Sequence, residues 1–235
     1  MHPGDQASVL TDGTVALRAH RRSDVLDIVA MCRDPQMIRW TTVPDPYSVR
    51  DAEAYLSQTH ENRRSGTPLA WAIDASGRFS GNVDLRLDGA RGAELGYALA
   101  PWARHQRILS RALRLLLAWA FENLELDVVR WRAEVGNWPS RRVAWAVGFT
   151  VDGRERGLLP ARGAGHGDPP RDAWVGTLRR GDGLHPAHPW LSPPVILGDG
   201  LMLRPHAAPD VPRIAEACDD PVTRRFLPLL PSPYT

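Results

Sequence analysis

The chain has 235 residues, of which 43% are hydrophobic and 24% are charged, and nine are tryptophan. Such a composition can bury a hydrophobic core, so it excludes a chain that is disordered throughout. The formal charge of +2 gives no support for a nucleic-acid partner. The longest apolar run, residues 115–121, is much shorter than the roughly 18 residues that span a membrane, so we expect no membrane segment.

The cationic and sulfur-containing residues exclude further classes of chemistry. All 29 cationic side chains are arginine, and a sequence without lysine excludes a lysine Schiff base and a P-loop lysine. Cys32 and Cys218 have no partners nearby in the sequence, so we expect neither a disulfide framework nor a metal site. Residues 1–10 lack the basic and apolar regions of a signal peptide. The sequence therefore predicts a cytoplasmic protein.

Hydrophobic periodicity predicts the secondary structure in chain order. A first strand is followed by two amphipathic helices, and three strands then lead into the longest helix. A further strand, a short helix capped by Asn137 and two last strands complete the series. The predicted bounds are 15–18, 23–33, 48–62, 69–74, 82–87, 94–99, 108–124, 129–135, 138–147, 149–151 and 173–178. The order βααβββαβαββ predicts an α/β fold in which helices pack on both faces of one mixed central sheet.

The sequence contains an internal repeat. At a constant offset of 186 residues, ten of the positions from 17 to 39 recur unchanged, beginning with Leu17 and Arg18 at positions 203 and 204. Identities that keep one register over such a distance indicate duplication rather than chance. We therefore expect the chain to begin a second copy of its first domain.

The repeat predicts how the chain is divided. Residues 181–194 contain four prolines and no apolar periodicity, which is typical of a linker. We expect a complete domain at residues 1–180, a Pro-rich linker at 181–194, and the first strand and helix of an incomplete second copy at 195–235. The apolar helix face of that second copy would need a cover from the first domain or from a second chain, which makes a homodimer one expectation.

Three segments carry a resemblance to a known family. They occur in the order Glu94 to Pro101 (ELGYALAP), Trp102 to Leu113 (WARHQRILSRAL) and Asn137 to Phe149 (NWPSRRVAWAVGF). With these motifs, residues 10–180 resemble the GCN5-related N-acetyltransferase (GNAT) family, and most closely the branch that acetylates the α-amino termini of ribosomal proteins. The resemblance implies the GNAT fold, with acetyl-CoA as acetyl donor and a primary amine, on a protein N-terminus or a small molecule, as acceptor.

The resemblance also implies where acetyl-CoA binds. A strand that diverges from its neighbour leaves backbone groups free for the pantetheine arm, and the N-terminus of the following helix presents N–H groups to the pyrophosphate. The residues implied to contact acetyl-CoA are Leu99, Arg104, His105, Gln106, Arg107, Ile108, Leu109, Ser110 and Asn137. Basic residues without acidic sequence neighbours are expected to attract the anion, and these are Arg104, His105, Arg107, Arg111 and Arg114.

The pyrophosphate loop departs from the family pattern. Where the family has Arg/Gln-x-x-Gly-x-Gly/Ala, this chain has Arg104-His-Gln-Arg107-Ile-Leu109, so both small residues are replaced. Glycine lets phosphate oxygens approach the backbone and readily adopts a positive φ angle. We therefore expect weakened acetyl-CoA binding, with Arg107 and Leu109 crowding the phosphates while the Arg107 guanidinium offers new contacts.

Acetyl transfer to an amine needs a base, donors for the oxyanion and an acid for the departing thiolate. The resemblance places Ser140 where the family hydrogen-bonds the thiolate, although helix capping would also explain Ser140 and Asn137. Glu94, at the start of a strand on the acceptor side, is the candidate base, and a solvent-facing strand residue is the alternative. Tyr97 and Cys32 are expected in the core.

Two alternatives from other classes stay open. The first is a catalytically weak or dead domain that binds an acyl-CoA-like ligand or a partner, with activity residing in a second copy, and the altered loop favours it. The second is a nucleic-acid-binding module, which is disfavoured because Asp and Glu nearly balance Arg and basic residues do not alternate with aromatic ones. Acceptor specificity is expected to lie in residues 41–47 and 157–171.

Overall fold

The chain divides after residue 187. The computed structural model, which describes residues 9–65, 68–161, 169–190 and 195–234, separates Met1–Ala187 from His188–Thr235. The division falls within the stretch 181–194 that the sequence predicts as a linker. Part of the predicted acceptor loop 157–171 lies outside the described residues.

An eight-stranded sheet forms the centre of the first unit. Its strands are β1 (Leu10–Thr11), β2 (Val15–Arg18), β3 (Leu69–Ala75), β4 (Arg78–Leu87), β5 (Gly92–Leu99), β6 (Val128–Glu134), β7 (Thr150–Leu159) and β8 (Arg171–Arg179). They lie in the order β1-β2-β3-β4-β5-β6-β8-β7. Neighbouring strands are antiparallel except β5 and β6, which are parallel. The predicted mixed sheet is confirmed.

Helices cover both faces of this sheet, as predicted. They are α1 (Val25–Cys32), α2 (Pro35–Trp40), α3 (Val49–Ser65), α4 (Ile108–Asn123) and α5 (Trp138–Ala146). Val83, Leu85 and Trp131 point to the face that α4 and α5 cover, and they form one buried cluster with these helices. Ala72 and Phe79 point to the opposite face, where they pack with α1, α2 and α3. Alternate residues of a strand therefore belong to different cores.

The long helix α4 has the amphipathic pattern that the sequence predicts. Its buried residues recur at spacings of three and four, and they are Ile108, Leu109, Ala112, Leu113, Leu116, Leu117 and Ala120. Because this apolar stripe crosses the sheet, packing fixes α4 against the strands. Its N-terminus is thereby held at the end of β5.

Two elements differ from the sequence prediction. The sequence predicts no helix directly after residues 23–33, but α2 begins there, because the Asp34 carboxylate accepts hydrogen bonds from the backbone N–H groups of Gln36 and Met37. Strand β7 extends well beyond the predicted residues 149–151. It is an edge strand, and residues 154–157 are exposed, so it lacks the apolar alternation on which the prediction depends.

The second unit repeats contacts of the first. It contains β9 (Ile196–Gly198), β10 (Leu201–Leu203), α6 (Val211–Asp219) and α7 (Pro221–Phe226), and β9 pairs with β10. The Arg18 guanidinium donates two hydrogen bonds to the Asp24 carboxylate, at 2.8 and 2.9 Å. At the offset of 186, Arg204 donates two to Asp210, at 2.7 and 2.5 Å. The local structure thus follows the sequence repeat, and its assignment as a second GNAT-like copy stays a prediction.

The two units differ in the burial of their matching residues. The side chains of Arg18 and Asp24 are 6% and 4% exposed, whereas those of Arg204 and Asp210 are 38% and 23% exposed. Similarly, Leu17 is buried in the first unit, and its counterpart Leu203 is exposed.

Within the described part of the chain, no helix is long and apolar enough to cross a membrane.

Candidate active site

The sheet opens between β5 and β6. Their parallel pairing covers only three residue pairs and ends at Glu94 and Arg130. Beyond this point β6 continues to pair with β8, and β5 continues to pair with β4 as far as Leu99. Residues 95–99 therefore turn one backbone edge toward the opening, where an extended ligand can form hydrogen bonds as a strand would.

The loop after β5 takes a conformation that favours glycine. A 3-10 turn at Pro101–Ala103 is followed by His105 with φ +61° and by Arg107 with φ +59° and ψ +10°. Both residues lie in the left-handed region, which costs a non-glycine residue roughly 1–2 kcal/mol. Arg107 thus stands where the family pattern has glycine, and it adopts the backbone conformation for which glycine is suited.

The N-terminus of α4 faces this loop. The first intrahelical hydrogen bond is donated by the amide of Arg111 to the Arg107 carbonyl, at 3.1 Å. The preceding amides of Ile108, Leu109 and Ser110 have no intrahelical acceptor, as in the first turn of any helix. The side chain of Leu109 is only 7% exposed and belongs to the core. The expectation that Leu109 crowds the phosphates is therefore wrong, and only its backbone faces the loop.

Most of the predicted anion-binding arginines have partners within the chain. Arg104 forms an ion pair with Asp34, the residue that caps α2. Arg111 forms an ion pair with Asp12, at 2.7 Å. Arg114 donates to two backbone carbonyl groups, of Leu184 at 2.8 Å and of Ala146 at 2.7 Å. The five basic residues therefore do not form one cluster of unpaired charge.

The remaining predicted loop residues lie at the surface. His105, Gln106 and Arg107 are exposed. The Gln106 amide donates to the carbonyl of Trp102 at 2.8 Å, and the Ser110 hydroxyl donates to the carbonyl of Arg107 at 3.0 Å. His105 and Arg107 are thus the exposed basic side chains next to the amides of the helix N-terminus.

Ser140 lies in a polar contact between the two diverging strands. The indole N–H of Trp131, on β6, donates to the Ser140 hydroxyl at 3.2 Å. The Tyr97 hydroxyl, on β5, lies 3.0 Å from the same oxygen and 2.9 Å from the Ser140 carbonyl. Burial raises the pKa of Tyr97 more than its bond with Ser140 lowers it, so the phenol stays protonated. The structure thus brings together one predicted residue and two that the sequence assigns to the core or to a strand.

Asn137 has the capping role that the sequence offers as its alternative. Its side-chain oxygen accepts a hydrogen bond from the backbone N–H of Ser140, at 3.2 Å, at the start of α5. This bond fixes the first turn of α5 and with it the position of the Ser140 side chain. Capping and ligand contact do not exclude each other, because the Asn137 amide nitrogen keeps its two donors.

Glu94 lies on the sheet face opposite α4 and within a group of charges. Its Oε1 accepts from Arg86 at 2.7 Å and from Arg132 at 3.1 Å. On the adjacent strand, Asp84 faces Gly96 across the β4–β5 pair. Burial raises the pKa of the Asp84 carboxyl, Arg86 lowers it and the Glu94 charge raises it, and the net effect is a raised pKa.

Sequence reasoning missed Asp84 and the contacts of Tyr97 and Trp131. Asp84 lies on β4 between Val83 and Leu85, which are buried. An acidic residue between two apolar residues of a predicted strand is a signal in the sequence that could have identified it. The Tyr97 contact depends on the close approach of residues 43 positions apart, for which the chain has no local pattern. Cys32 is buried as predicted, and burial raises its thiol pKa to about 11, so it is not an activated nucleophile.

The sequence matches one family model and a curated bacterial protein. A family model described as an acetyltransferase (GNAT) domain matches residues 14–150, more than half of the chain. YdaF of Bacillus subtilis (strain 168), which carries a provisional assignment as a ribosomal N-acetyltransferase, is 41% identical over 76 residues. That match covers 32% of this chain and 42% of YdaF, so the chain aligns with less than half of this curated relative.

Solved structures share the fold of about three quarters of this chain. RimL, a ribosomal L7/L12 α-N-protein acetyltransferase, superposes with a TM-score of 0.64 at 17% identity, over 73% of this chain and 94% of RimL. Mycobacterium smegmatis RimJ, solved with a CoA disulfide, gives 0.64 at 23% identity, over 76% and 90%. MccE, a microcin C7 self-immunity acetyltransferase solved with acetyl-CoA and AMP, gives 0.63 at 17% identity, over 72% and 94%.

Proposed function

Because the chain belongs to the GNAT acetyltransferase family, we propose that residues 1–180 are an N-acetyltransferase domain, which moves an acetyl group from acetyl-CoA to a primary amine. The acceptor is the α-amino group of a protein N-terminus or a small amine. This acceptor class is in keeping with the ribosomal-protein acetyltransferases that the chain resembles. The observation that carries this proposal is the opening between β5 and β6, which ends at the N-terminus of α4.

The proposed donor site uses backbone groups more than side chains. The exposed edge of residues 95–99 fits the amide groups of the pantetheine arm, with Leu99 at its end. The amides of Ile108, Leu109 and Ser110 fit the pyrophosphate, because helix N-termini favour anions. Arg107 and His105 add positive charge beside these amides, and Arg104 reaches the ligand only if it shares its guanidinium with Asp34.

The proposed chemistry divides between the two faces of the sheet. Ser140, on the α5 side, donates its hydroxyl proton toward the departing thiolate. Trp131 occupies one lone pair of that hydroxyl, and Tyr97 occupies the second when its own proton points to the oxygen. The Ser140 proton is then directed at a third group, the ligand sulfur. On the other face, Glu94 is the base predicted from the sequence, and this assignment stays a prediction.

A ligand-binding domain without transfer activity is the second candidate. It is favoured by the strained loop, since Arg107 replaces glycine at a left-handed position. It shares the donor site with the enzyme and differs only in the missing transfer step. A cytoplasmic location and an association into dimers stay predictions as well.

Isothermal titration with acetyl-CoA tests the donor site that both candidates share. We expect saturable binding by the full chain. Arg107→Glu should weaken it at least tenfold, because a negative charge then lies beside the pyrophosphate. The matched control is Arg50→Glu, at an exposed position on α3, which should bind like the wild type. Absence of binding by the wild-type chain would contradict both candidates, and release of thiol on addition of an amine would favour the enzyme.

A further inference from the structure

Asp84 is a carboxylate that the sequence analysis did not assign to any role. It lies on β4 directly opposite Gly96 of β5. Because Gly96 has no side chain, the Asp84 carboxylate extends over β5, and a Cβ added at Gly96 would overlap with it. Gly96 is two residues beyond Glu94, where pairing between β5 and β6 ends. The carboxylate therefore lies at the start of the opening.

The surroundings of Asp84 and Glu94 differ. Arg86 and Arg132 both donate to a single oxygen of Glu94, which holds that carboxylate in a network of charges. The Oδ1 atom of Asp84 is buried and lies 3.0 Å from Arg86 Nη2, and among the described residues it accepts no hydrogen bond of good geometry. The Asp84 side chain is 17% exposed. Of the two carboxylates, Asp84 is the less engaged and the more shielded from water.

Asp84 and Ser140 lie on opposite faces of the sheet. Val83 and Leu85, its neighbours on β4, point to the α4 side, so Asp84 points to the opposite face. Tyr97 and Ser140 meet on the α4 side. An amine that attacks a thioester and the thiolate that leaves it can therefore be served from opposite faces of the sheet.

We propose that Asp84 binds the ammonium group of the acceptor and takes its first proton, an inference that rests on the proposed N-acetyltransferase function. The deprotonated nitrogen then forms the C–N bond to the acetyl carbon, and the C–S bond breaks. The second proton leaves the nitrogen and ends on the thiolate sulfur, through the Ser140 hydroxyl. Asp84 returns its proton to water, so the net products are the amide, the thiol and one proton. In this scheme Asp84 replaces Glu94 as the base, and Glu94 holds Arg86 and Arg132 in place.

The test compares Asp84→Asn with Glu94→Gln in the full chain. Thiol release is measured against a panel of N-terminal peptides and small amines, and the acetyl-CoA Kd is measured by titration. Asp84→Asn should lower kcat/KM for the amine about 10²- to 10⁴-fold with the Kd for acetyl-CoA unchanged. Glu94→Gln should have a smaller effect. The control is Asp88→Asn, which changes a carboxylate that pairs with Arg130 directly after β4. This variant should behave like the wild type.

A second variant keeps the carboxyl group and moves it. In Gly96→Ala the new Cβ would overlap with the Asp84 carboxylate and would lie 2.9 Å from Arg86 Nη2, so both side chains should move. We expect kcat/KM to fall at least tenfold. Its control is Gly153→Ala, where the added Cβ meets no atom within 4 Å. If Asp84→Asn does not fold, as judged by circular dichroism, Gly96→Ala decides between the outcomes.

The results separate this inference from the function on which it rests. If Asp84→Asn keeps the turnover of the wild type, the role of Asp84 is overturned while the N-acetyltransferase function stands. If Asp84→Asn does not fold, wild-type turnover in a folded Gly96→Ala has the same meaning. Greater loss in Glu94→Gln than in Asp84→Asn returns the base to Glu94 and also overturns it. Absence of turnover in the wild-type chain with every amine overturns both proposals.

Discussion

The orientation of the Ser140 hydroxyl depends on two aromatic side chains from the strands that diverge. Trp131 can only donate, so it always occupies a lone pair of the serine oxygen. Tyr97 has one proton to share between the Ser140 oxygen and the Ser140 carbonyl. In the proposed function, these contacts direct the hydroxyl proton toward the sulfur while a thiolate forms.

Trp131→Phe tests this orientation, because it keeps an aromatic ring and removes the donor. We expect kcat to fall by about three- to tenfold, which corresponds to a neutral hydrogen bond of roughly 0.5–1.5 kcal/mol. The Kd for acetyl-CoA should change little, since the bond matters mainly in the transition state. Trp71→Phe, at another buried tryptophan of the same core, is the control for packing. An equal loss in both variants would reduce the effect to packing.

Arg107 tests the strain in the loop. Arg107→Gly should raise the free energy of unfolding by roughly 0.5–1 kcal/mol, because glycine adopts positive φ without the steric cost. It should also tighten acetyl-CoA binding, by up to about tenfold, since phosphate can then approach the backbone. Glu125→Gly, at an exposed position with φ +51°, should give the stability gain alone. Weaker binding by Arg107→Gly would instead show that its guanidinium holds the phosphate.

Only one of the two small residues of the family loop can be restored without loss of core packing. Leu109 occupies the second small position of the family loop, but its side chain belongs to the core. Leu109→Ala is expected to cost about 2–5 kcal/mol, as for other buried leucines. The sequence identifies the altered positions, whereas only the packing of α4 shows that the side chain of Leu109 faces away from the loop.

At the scale of elements, the connection from β2 to α1 is held by a buried ion pair. Burial alone would raise the pKa of Asp24, but the hydrogen bonds from Arg18 and from the Arg21 amide hold it below its ordinary value of 3.8. Asp74 accepts from the same guanidinium at 2.7 Å. Because both arginine and aspartate are buried, loss of one partner leaves the other with an uncompensated charge.

Asp24→Asn should therefore lower the free energy of unfolding by about 3 kcal/mol, at the lower end for a broken buried pair because Asp74 remains. A carboxylate whose folded-state pKa is depressed stabilises the fold above its unfolded-state pKa, near 4, and loses that effect as the pH falls through the folded-state pKa. Urea unfolding of the wild type should show this loss at acid pH, and Asp24→Asn should show less of it.

The second unit supplies a matched control for this prediction. Asp210→Asn changes the matching double hydrogen bond at a more exposed position, so its effect on the free energy of unfolding should be much smaller. A loss as large as that of Asp24→Asn would contradict the assignment of the stabilisation to burial.

The success of sequence reasoning varied among elements for physical reasons. The periodicity of α4 and the alternation of β5 and β6 follow directly from their burial on one face, so these elements were predicted to within two residues. Helix α2 was missed because Asp-Pro signals both the end of one helix and the start of the next, and only the capping bonds of Asp34 distinguish the two. The contacts of Ser140 join three elements, which no local pattern encodes.

In the molecule as a whole, both buried cores lie within the first unit, and their buried residues run from Val15 to Leu178. We propose that the second unit begins another GNAT-like copy, since it repeats the ion pair and the α2 cap of the first. A shortened chain of residues 1–187 should keep the thermal stability and the acetyl-CoA affinity of the full chain. A large loss of either, measured by thermal unfolding and titration, would contradict the independence of the first unit.

The proposed transfer of an acetyl group from acetyl-CoA to an amine is tested most directly by following the acetyl group itself. The full chain is incubated with acetyl-CoA labelled in the acetyl group and with peptides that have free or blocked N-termini, together with small amines. We expect label on at least one free amine, none on the blocked peptides, and a strong decrease with Ser140→Ala. Saturable acetyl-CoA binding without transfer to any acceptor would contradict it and would favour the ligand-binding domain.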